Sequence, residues 1–176
     1  MELLKHFGID TGKNKFHEAA VYGLACVYSL IEKEISNCLR PFNLTPAKFN
    51  AMMVIKHIGK DKGLSQVEIG RYLIVTASNM TRLLDRLDKE GFIERLNQKG
   101  DRRVNLIKIS KKGSDILDKV WPGYYRKITE TANLLHKEEL RQTAKLIIRW
   151  CDKLEENSAL AKLKTKPEKN HAKNSG

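Results

Sequence analysis

A mainly α fold with one small β-hairpin is predicted by three features of this sequence. Two helical patterns joined by a turn occupy 64–91. Two β-like runs follow at 92–109, around a basic turn that contains Gly100. Long amphipathic stripes flank both. In this order the central features describe a winged helix-turn-helix lobe, which sets one helix in a DNA major groove and a hairpin on the flanking backbone or minor groove. The flanking stripes describe a helical dimerisation lobe that holds two such devices at a fixed spacing.

Each element has its own signal. Phe16, Ala20, Leu24, Val27, Ile31, Ile35 and Cys38 recur at steps of three and four, so a long helix is expected to end before Pro41. Thr45 offers an N-cap with Pro46 at the first helical position, and Leu44 can staple onto Phe49. Ser65 and Glu68 form a capping box flanked by Leu64 and Ile69, opening a short helix that ends near Leu73. Thr76 caps the next helix, whose apolar face is Met80, Leu83, Leu84 and Leu87. Its other face carries Ser78, Asn79, Arg82, Asp85, Arg86 and Lys89, and Gly91 supplies the left-handed residue after the last turn. Phe92 to Leu96 reads as a strand, Asn97 to Asp101 as a reversal, and Val104, Leu106 and Ile109 as the return strand. Ile116, Leu117, Val120 and Trp121 open another long helix, which Pro122 should kink or break. Leu140, Ala144, Ile147, Cys151 and Leu154 mark a last helix, and KTKPEKNHAKNSG is too poor in apolar residues to pack. The expected division is an N-terminal dimerisation helix in 1–43, the winged lobe in 44–113, C-terminal dimerisation helices in 114–156 and a basic disordered tail in 157–176.

The net charge of +12 favours a polyanionic partner, and 41% hydrophobic residues suffice for a core. The charge is placed usefully: residues 56–112 hold 14 Lys/Arg against 7 Asp/Glu, and 157–176 hold 5 against 1. No phosphate-binding glycine loop, nucleophile elbow or paired catalytic carboxylates appear, so an enzyme is not expected. His6, His17, His57, His136 and His171 are dispersed without metal-ligand spacing, and neither a metal nor a cofactor is expected. Cys26, Cys38 and Cys151 are too few and scattered for a disulfide framework; Cys38 and Cys151 fall on apolar stripes and read as buried thiols. The first ten residues lack the apolar core of a signal peptide and no run is long enough to span a bilayer, so a cytoplasmic protein without membrane contact is expected.

TRLLDRLDKEGFIER followed by GDRRVNLIKISKKG resembles the recognition helix and wing of the MarR family of bacterial transcriptional regulators. LTPAKFNAMMVI resembles that family's second helix, and the likeness covers about residues 16–156. Gly70 stands where the family more often has alanine. Ser78 and Asn79 lie in the first turn of the expected recognition helix, where side chains reach base edges, and asparagine suits a bidentate contact to adenine. Thr81 and Arg82 match family positions that face DNA. Arg86 either binds phosphate or pairs with Asp85 or Asp101. Asp101 and Arg103 match the wing's D-x-R, in which the acid orients an arginine into the minor groove; Lys99 and Arg102 would add phosphate contacts. The bland alternatives are a solvated helix face and a charged loop.

The apolar stripes of the first and last helices have no sheet to cover them, which favours a two-fold homodimer, as the resemblance also implies. The resemblance further implies a small aromatic or phenolic effector between the winged lobe and the dimer helices. Tyr22, Phe49, Met53, His57, Trp121, Tyr124 and Tyr125 could line that pocket, though each is more often core. Relatives that sense oxidants place their reactive cysteine about where Phe16 stands, and Cys26 and Cys38 do not match it. The function expected is a sequence-specific regulator, a repressor, that binds a near-palindromic operator on double-stranded DNA as a homodimer. The alternative is an architectural DNA-binding protein of low specificity, dominated by salt.

Overall fold

Helices cover most of the chain in the computed structural model, which describes Lys5 and residues 16–73, 77–97 and 105–164. The order is α1 (Phe16–Leu39), a 3-10 turn (Arg40–Phe42), α2 (Pro46–Val54) with a wider π turn (Ile55–Gly59), β1 (Leu64–Ser65), α3 (Gln66–Tyr72), α4 (Ala77–Lys89), β2 (Ile93–Asn97), β3 (Asn105–Ile109), α5 (Lys111–Ala132) and α6 (Lys137–Lys164). Two compact units divide the chain, residues 1–131 and 132–176.

Local chemistry sets the element ends in the first unit. Thr45 Oγ1 accepts from the Lys48 N–H at 3.2 Å, with Pro46 in the first turn of α2. Leu44 and Phe49, on either side of that cap, are both buried. At α3 the capping box is complete: the Glu68 N–H donates to Ser65 Oγ at 3.2 Å and the Ser65 N–H donates to Glu68 Oε2 at 2.8 Å. The Ser65 backbone N–H, and then its hydroxyl, hold the Glu68 carboxyl below its usual pKa. The stabilisation this box gives is therefore present at neutral pH and is lost as pH falls through that lowered value. Helix α4 ends in Gly91 at φ 74°, with the Phe92 N–H reaching Leu87 O at 2.9 Å and the Gly91 N–H reaching Asp88 O at 2.8 Å. This is the Schellman pair that satisfies the last carbonyls of a helix.

The sheet has three strands rather than the two expected. Its order is β1-β3-β2, all antiparallel, with Leu64 opposite Ile107 and Ile93 opposite Ile109. The extra strand is the two-residue approach to α3, so Leu64 serves both as staple and as sheet residue. Of the reversal expected at Asn97 to Asp101, Asn97 ends β2 and residues 98–101 lie outside the described residues, as does the expected cap Thr76. Helices and sheet enclose one core, with Leu39, Phe49, Met52, Ile55, Ile69, Leu84, Leu87, Ile107, Leu117 and Val120 buried.

Pro122 does not break α5: of the two outcomes expected, a kink or a break, the break is excluded, and one helix runs from Lys111 to Ala132. Leu117 and Val120 before the proline are buried, and Tyr124 after it packs against the same core. A break would lose that phase, so packing outweighs the hydrogen bond that proline removes. Ser110 caps α5, its Oγ accepting from the Gly113 N–H at 2.9 Å and donating to Gly91 O at 2.7 Å.

In the second unit, α6 opens with Glu139 accepting from the His136 N–H at 2.8 Å. Arg141 donates twice to Glu138 at 2.7 and 2.9 Å, and these bonds hold the Glu138 carboxyl below its usual range. The helix continues to Lys164, into the segment read as tail from 157; residues 165–176 lie outside the described residues. Leu146, Ile147, Ile148, Trp150 and Leu154 are exposed on it. Cys151, expected buried, is exposed too, while Cys26 and Cys38 are half-buried.

Two substitutions probe this frame. Lys60 holds φ 43° and ψ −132°, a conformation suited to glycine, in the turn closed by the Lys62 N–H on Gly59 O at 3.1 Å. Lys60→Gly should raise stability in urea titration by about 1 kcal/mol, the relieved strain exceeding the added chain entropy. Gly113 is buried, and a Cβ there would sit 2.0 Å from Phe92 O. Gly113→Ala should lower stability by about 2 kcal/mol or more, because backbone on both sides must shift.

Candidate nucleic-acid interface

The rotation of α4 about its axis decides which side chains face outward. Met80, Leu84 and Leu87 are buried in the core, and Leu83 packs partly against it. That leaves Asn79, Thr81, Arg82, Asp85, Arg86 and Lys89 exposed, on the face expected from the sequence. Ser78 lies in the first turn of the helix, but its side chain is outside the described part of the structure. Lys99, Asp101, Arg102 and Arg103 of the wing also lie outside the described residues. The structure thus brings together Asn79, Thr81, Arg82 and Arg86.

The charges on this face are sorted. Arg95 of β2 donates through Nε to Asp88 at 3.0 Å and through Nη2 to Asp85. Asp85, weighed above as a partner for Arg86, is taken by Arg95 instead. Among the described residues neither Arg82 nor Arg86 has an ion-pair partner. The helix therefore presents two unpaired guanidinium groups beside carboxylates that are already matched. Thr81 Oγ1 accepts from Gln66 Nε2 at 2.8 Å, which ties α4 to the first turn of α3.

Lys48 and Glu90 fix the position of α4. Lys48 Nζ lies 2.6 and 2.8 Å from the two Glu90 carboxylate oxygens, and the residue is only 8% exposed. The pair joins the first turn of α2 to the residue after α4. Lys48 is buried and Glu90 half-buried, so removing Glu90 would strand a buried ammonium and cost more than losing a surface salt bridge. Sequence reasoning missed it, although a trace exists. Lys48 sits four residues from both Leu44 and Met52, on an apolar face where a lone cation needs a partner. Nothing in the sequence said that the partner lies 42 residues away.

Between α2 and α4 runs a groove of about 300 Å³ lined by Thr45, Ala47, Lys48, Asn79, Arg82 and Arg86. The first turn of α2 adds its positive dipole end to the two arginines. This combination suits a phosphate group. A second groove, of about 490 Å³, lies between α1, α2 and the end of α3. Met53 is the one residue proposed for an effector pocket that lines it. Phe49 is core, with its ring centroid 4.5 Å from that of Tyr124, and burial pushes the Tyr124 phenol pKa up. Trp121 stacks on Tyr125 along α5 at 6.2 Å. No described helix is long and apolar enough to cross a membrane.

Residues 44–104 match the model of the MarR family. The chain is 25% identical over 126 residues to the HTH-type transcriptional regulator MhqR of Bacillus subtilis, spanning 72% of this chain and 85% of that one. It is 30% identical over 104 residues to the HTH-type transcriptional repressor YetL of Bacillus subtilis, spanning 59% of this chain and 62% of that one. Its fold resembles that of a MarR mutant from E. coli complexed with operator DNA, with a TM-score of 0.68 and 22% identity over 80% of this chain and 98% of that one. Sequence and fold agree: over residues 44–104 the chain matches the MarR family, and its fold is that of solved MarR-like regulators.

Proposed function

We propose that this protein is a cytoplasmic repressor that binds a near-palindromic operator as a homodimer and is released by a small-molecule effector. One observation carries the DNA part: Arg82 and Arg86 are unpaired among the described residues, while Asp85 and Asp88 on the same helix are engaged by Arg95. The exposed face of α4 is thereby cationic where its formal charges alone would nearly cancel. Asn79 at its start supplies a donor and acceptor pair for a base edge, and Arg82 and Arg86 bind phosphate. The wing residues Lys99, Asp101, Arg102 and Arg103 extend this surface under the same proposal.

Exposed apolar residues support the dimer. Phe16, Leu24, Val27 and Leu30 are exposed on α1, and Leu146, Ile147, Trp150 and Leu154 on α6. So much uncovered apolar surface on helices that end a chain is the expected mark of a protein interface. Dimer symmetry then sets two α4 helices about one DNA turn apart.

Binding should distinguish this function from architectural DNA binding. Fluorescence anisotropy with a mapped operator and with random duplex, at one salt concentration, should give at least a roughly thousandfold preference for the operator. Equal affinities would favour the architectural reading. Arg82→Ala should weaken operator binding by about 1–3 kcal/mol and reduce the salt slope by about 1, whereas Lys111→Ala, whose ammonium pairs with Asp115 at 3.0 Å on α5, should change little. In sedimentation, the parent should be a dimer at micromolar concentration. Val27→Glu and Ile147→Glu, both at exposed positions, should each shift it to monomer with unchanged helix content. A parent that stays monomeric at high micromolar concentration would refute the dimer.

A further inference from the structure

Threonines inside helices commonly return their hydroxyl proton to the carbonyl four residues back. Thr129 and Thr131 of α5 do this, donating to Tyr125 O at 2.9 Å and to Lys127 O at 2.8 Å. Thr81 of α4 does not. Its Oγ1 accepts from Gln66 Nε2 at 2.8 Å, and its own proton has no acceptor among the described residues. Thr81 is exposed, one position before Arg82. Gln66 is half-buried and sits on a firm base: it follows Ser65 of the capping box, and Leu64 is paired with Ile107 of β3. A hydroxyl has one proton to give and two lone pairs to receive. With one lone pair committed to the carboxamide of Gln66, the proton must turn away from that side chain.

We propose that Gln66 is a positioning residue for DNA recognition: it makes Thr81 a hydrogen-bond donor to an acceptor atom of the duplex, a purine N7 or a phosphate oxygen. The inference rests on the reading of α4 as the DNA-facing helix and goes beyond it by fixing the polarity of one contact. Thr81 alone could offer the duplex either a proton or a lone pair. Gln66 removes that choice, so a donor on the DNA at the same place is rejected. Glutamate at position 66 would keep the shape and reverse the bond. A carboxylate only accepts, so it takes the Thr81 proton and leaves the hydroxyl lone pairs facing outward. The polarity of the contact then inverts with no change in the length of either side chain.

Anisotropy titrations of the full chain against singly modified operators test this. One series replaces each purine by its 7-deaza analogue, which deletes the N7 acceptor; the other replaces each phosphate by a methylphosphonate. At one position per half-site, the change should weaken the parent roughly tenfold more than it weakens Thr81→Val or Gln66→Glu. The series in which that position is found assigns the acceptor to base or to phosphate. Thr81→Ser should restore the parent's pattern. The added charge of Gln66→Glu, or a purely structural role of Gln66, would weaken every operator alike and leave the positional pattern in place. No such position, or one whose sensitivity survives Gln66→Glu, would overturn the inference. The bond itself is read without DNA: Thr81→Val should shift the Gln66 side-chain amide resonances in nuclear magnetic resonance spectra. Unchanged resonances would overturn the inference whatever the titrations give. A parent with the bond intact that binds no duplex would strike the reading of α4, and this inference with it, whereas binding without the positional pattern strikes this inference alone.

Discussion

Burial of Leu84 and Leu87 fixes the rotation of α4, and the rest of the interface follows from it. Each fully buried leucine contributes roughly 1.5–3 kcal/mol relative to exposure. Turning the helix by one residue would expose this pair and drive charged side chains into the core. The apolar face therefore determines that Asn79, Arg82 and Arg86 look outward. Two polar constraints complete the placement: Arg95 holds Asp85 and Asp88 from the side of β2, and Lys48 holds Glu90 just beyond the helix end.

The end of α4 is also the start of a mechanical link to α5. Gly91 makes the turn, and Ser110 donates its hydroxyl to Gly91 O and its backbone N–H to Phe92 O at 3.0 Å. Lys112 Nζ donates to Glu90 O at 2.7 Å and lies 5.1 Å from the centroid of the Phe92 ring. Gly113 is forced by this close approach, since a Cβ there has no room. The last turn of α4 and the first turn of the long α5 helix therefore form one packed junction. A shift of α5 must be felt at Glu90, and through Lys48 at the first turn of α2.

Legibility in the sequence followed the range of the interaction. The caps at Thr45 and Ser65, the glycine at 91 and the apolar face of α4 are signals within a few residues, and the structure carries all of them. β1 was missed because two residues carry no period, and its pairing with β3 reaches across some forty positions. Pro122 left a kink and a break both open because a local cost was read without the core that flanks it on both sides. Lys48–Glu90 and the bridge from Arg95 were missed for the same reason in reverse: each charge is ordinary alone, and only the fold makes it a partner. The exposed side of α4 was legible because an amphipathic helix states its own orientation.

Neutralised acids beside guanidinium groups that have no ion-pair partner among the described residues are the electrostatic core of the proposed interface. Arg95→Gln and Lys108→Gln remove the same charge from neighbouring strands, and only the first frees Asp85 and Asp88. Operator titrations of both variants at one salt concentration isolate the effect. Arg95→Gln should weaken binding roughly tenfold or more beyond Lys108→Gln, because two carboxylates are returned to the face proposed to meet phosphate. Equal losses in the two variants would contradict the view that ion pairing on α4 sets the sign of the DNA-facing surface.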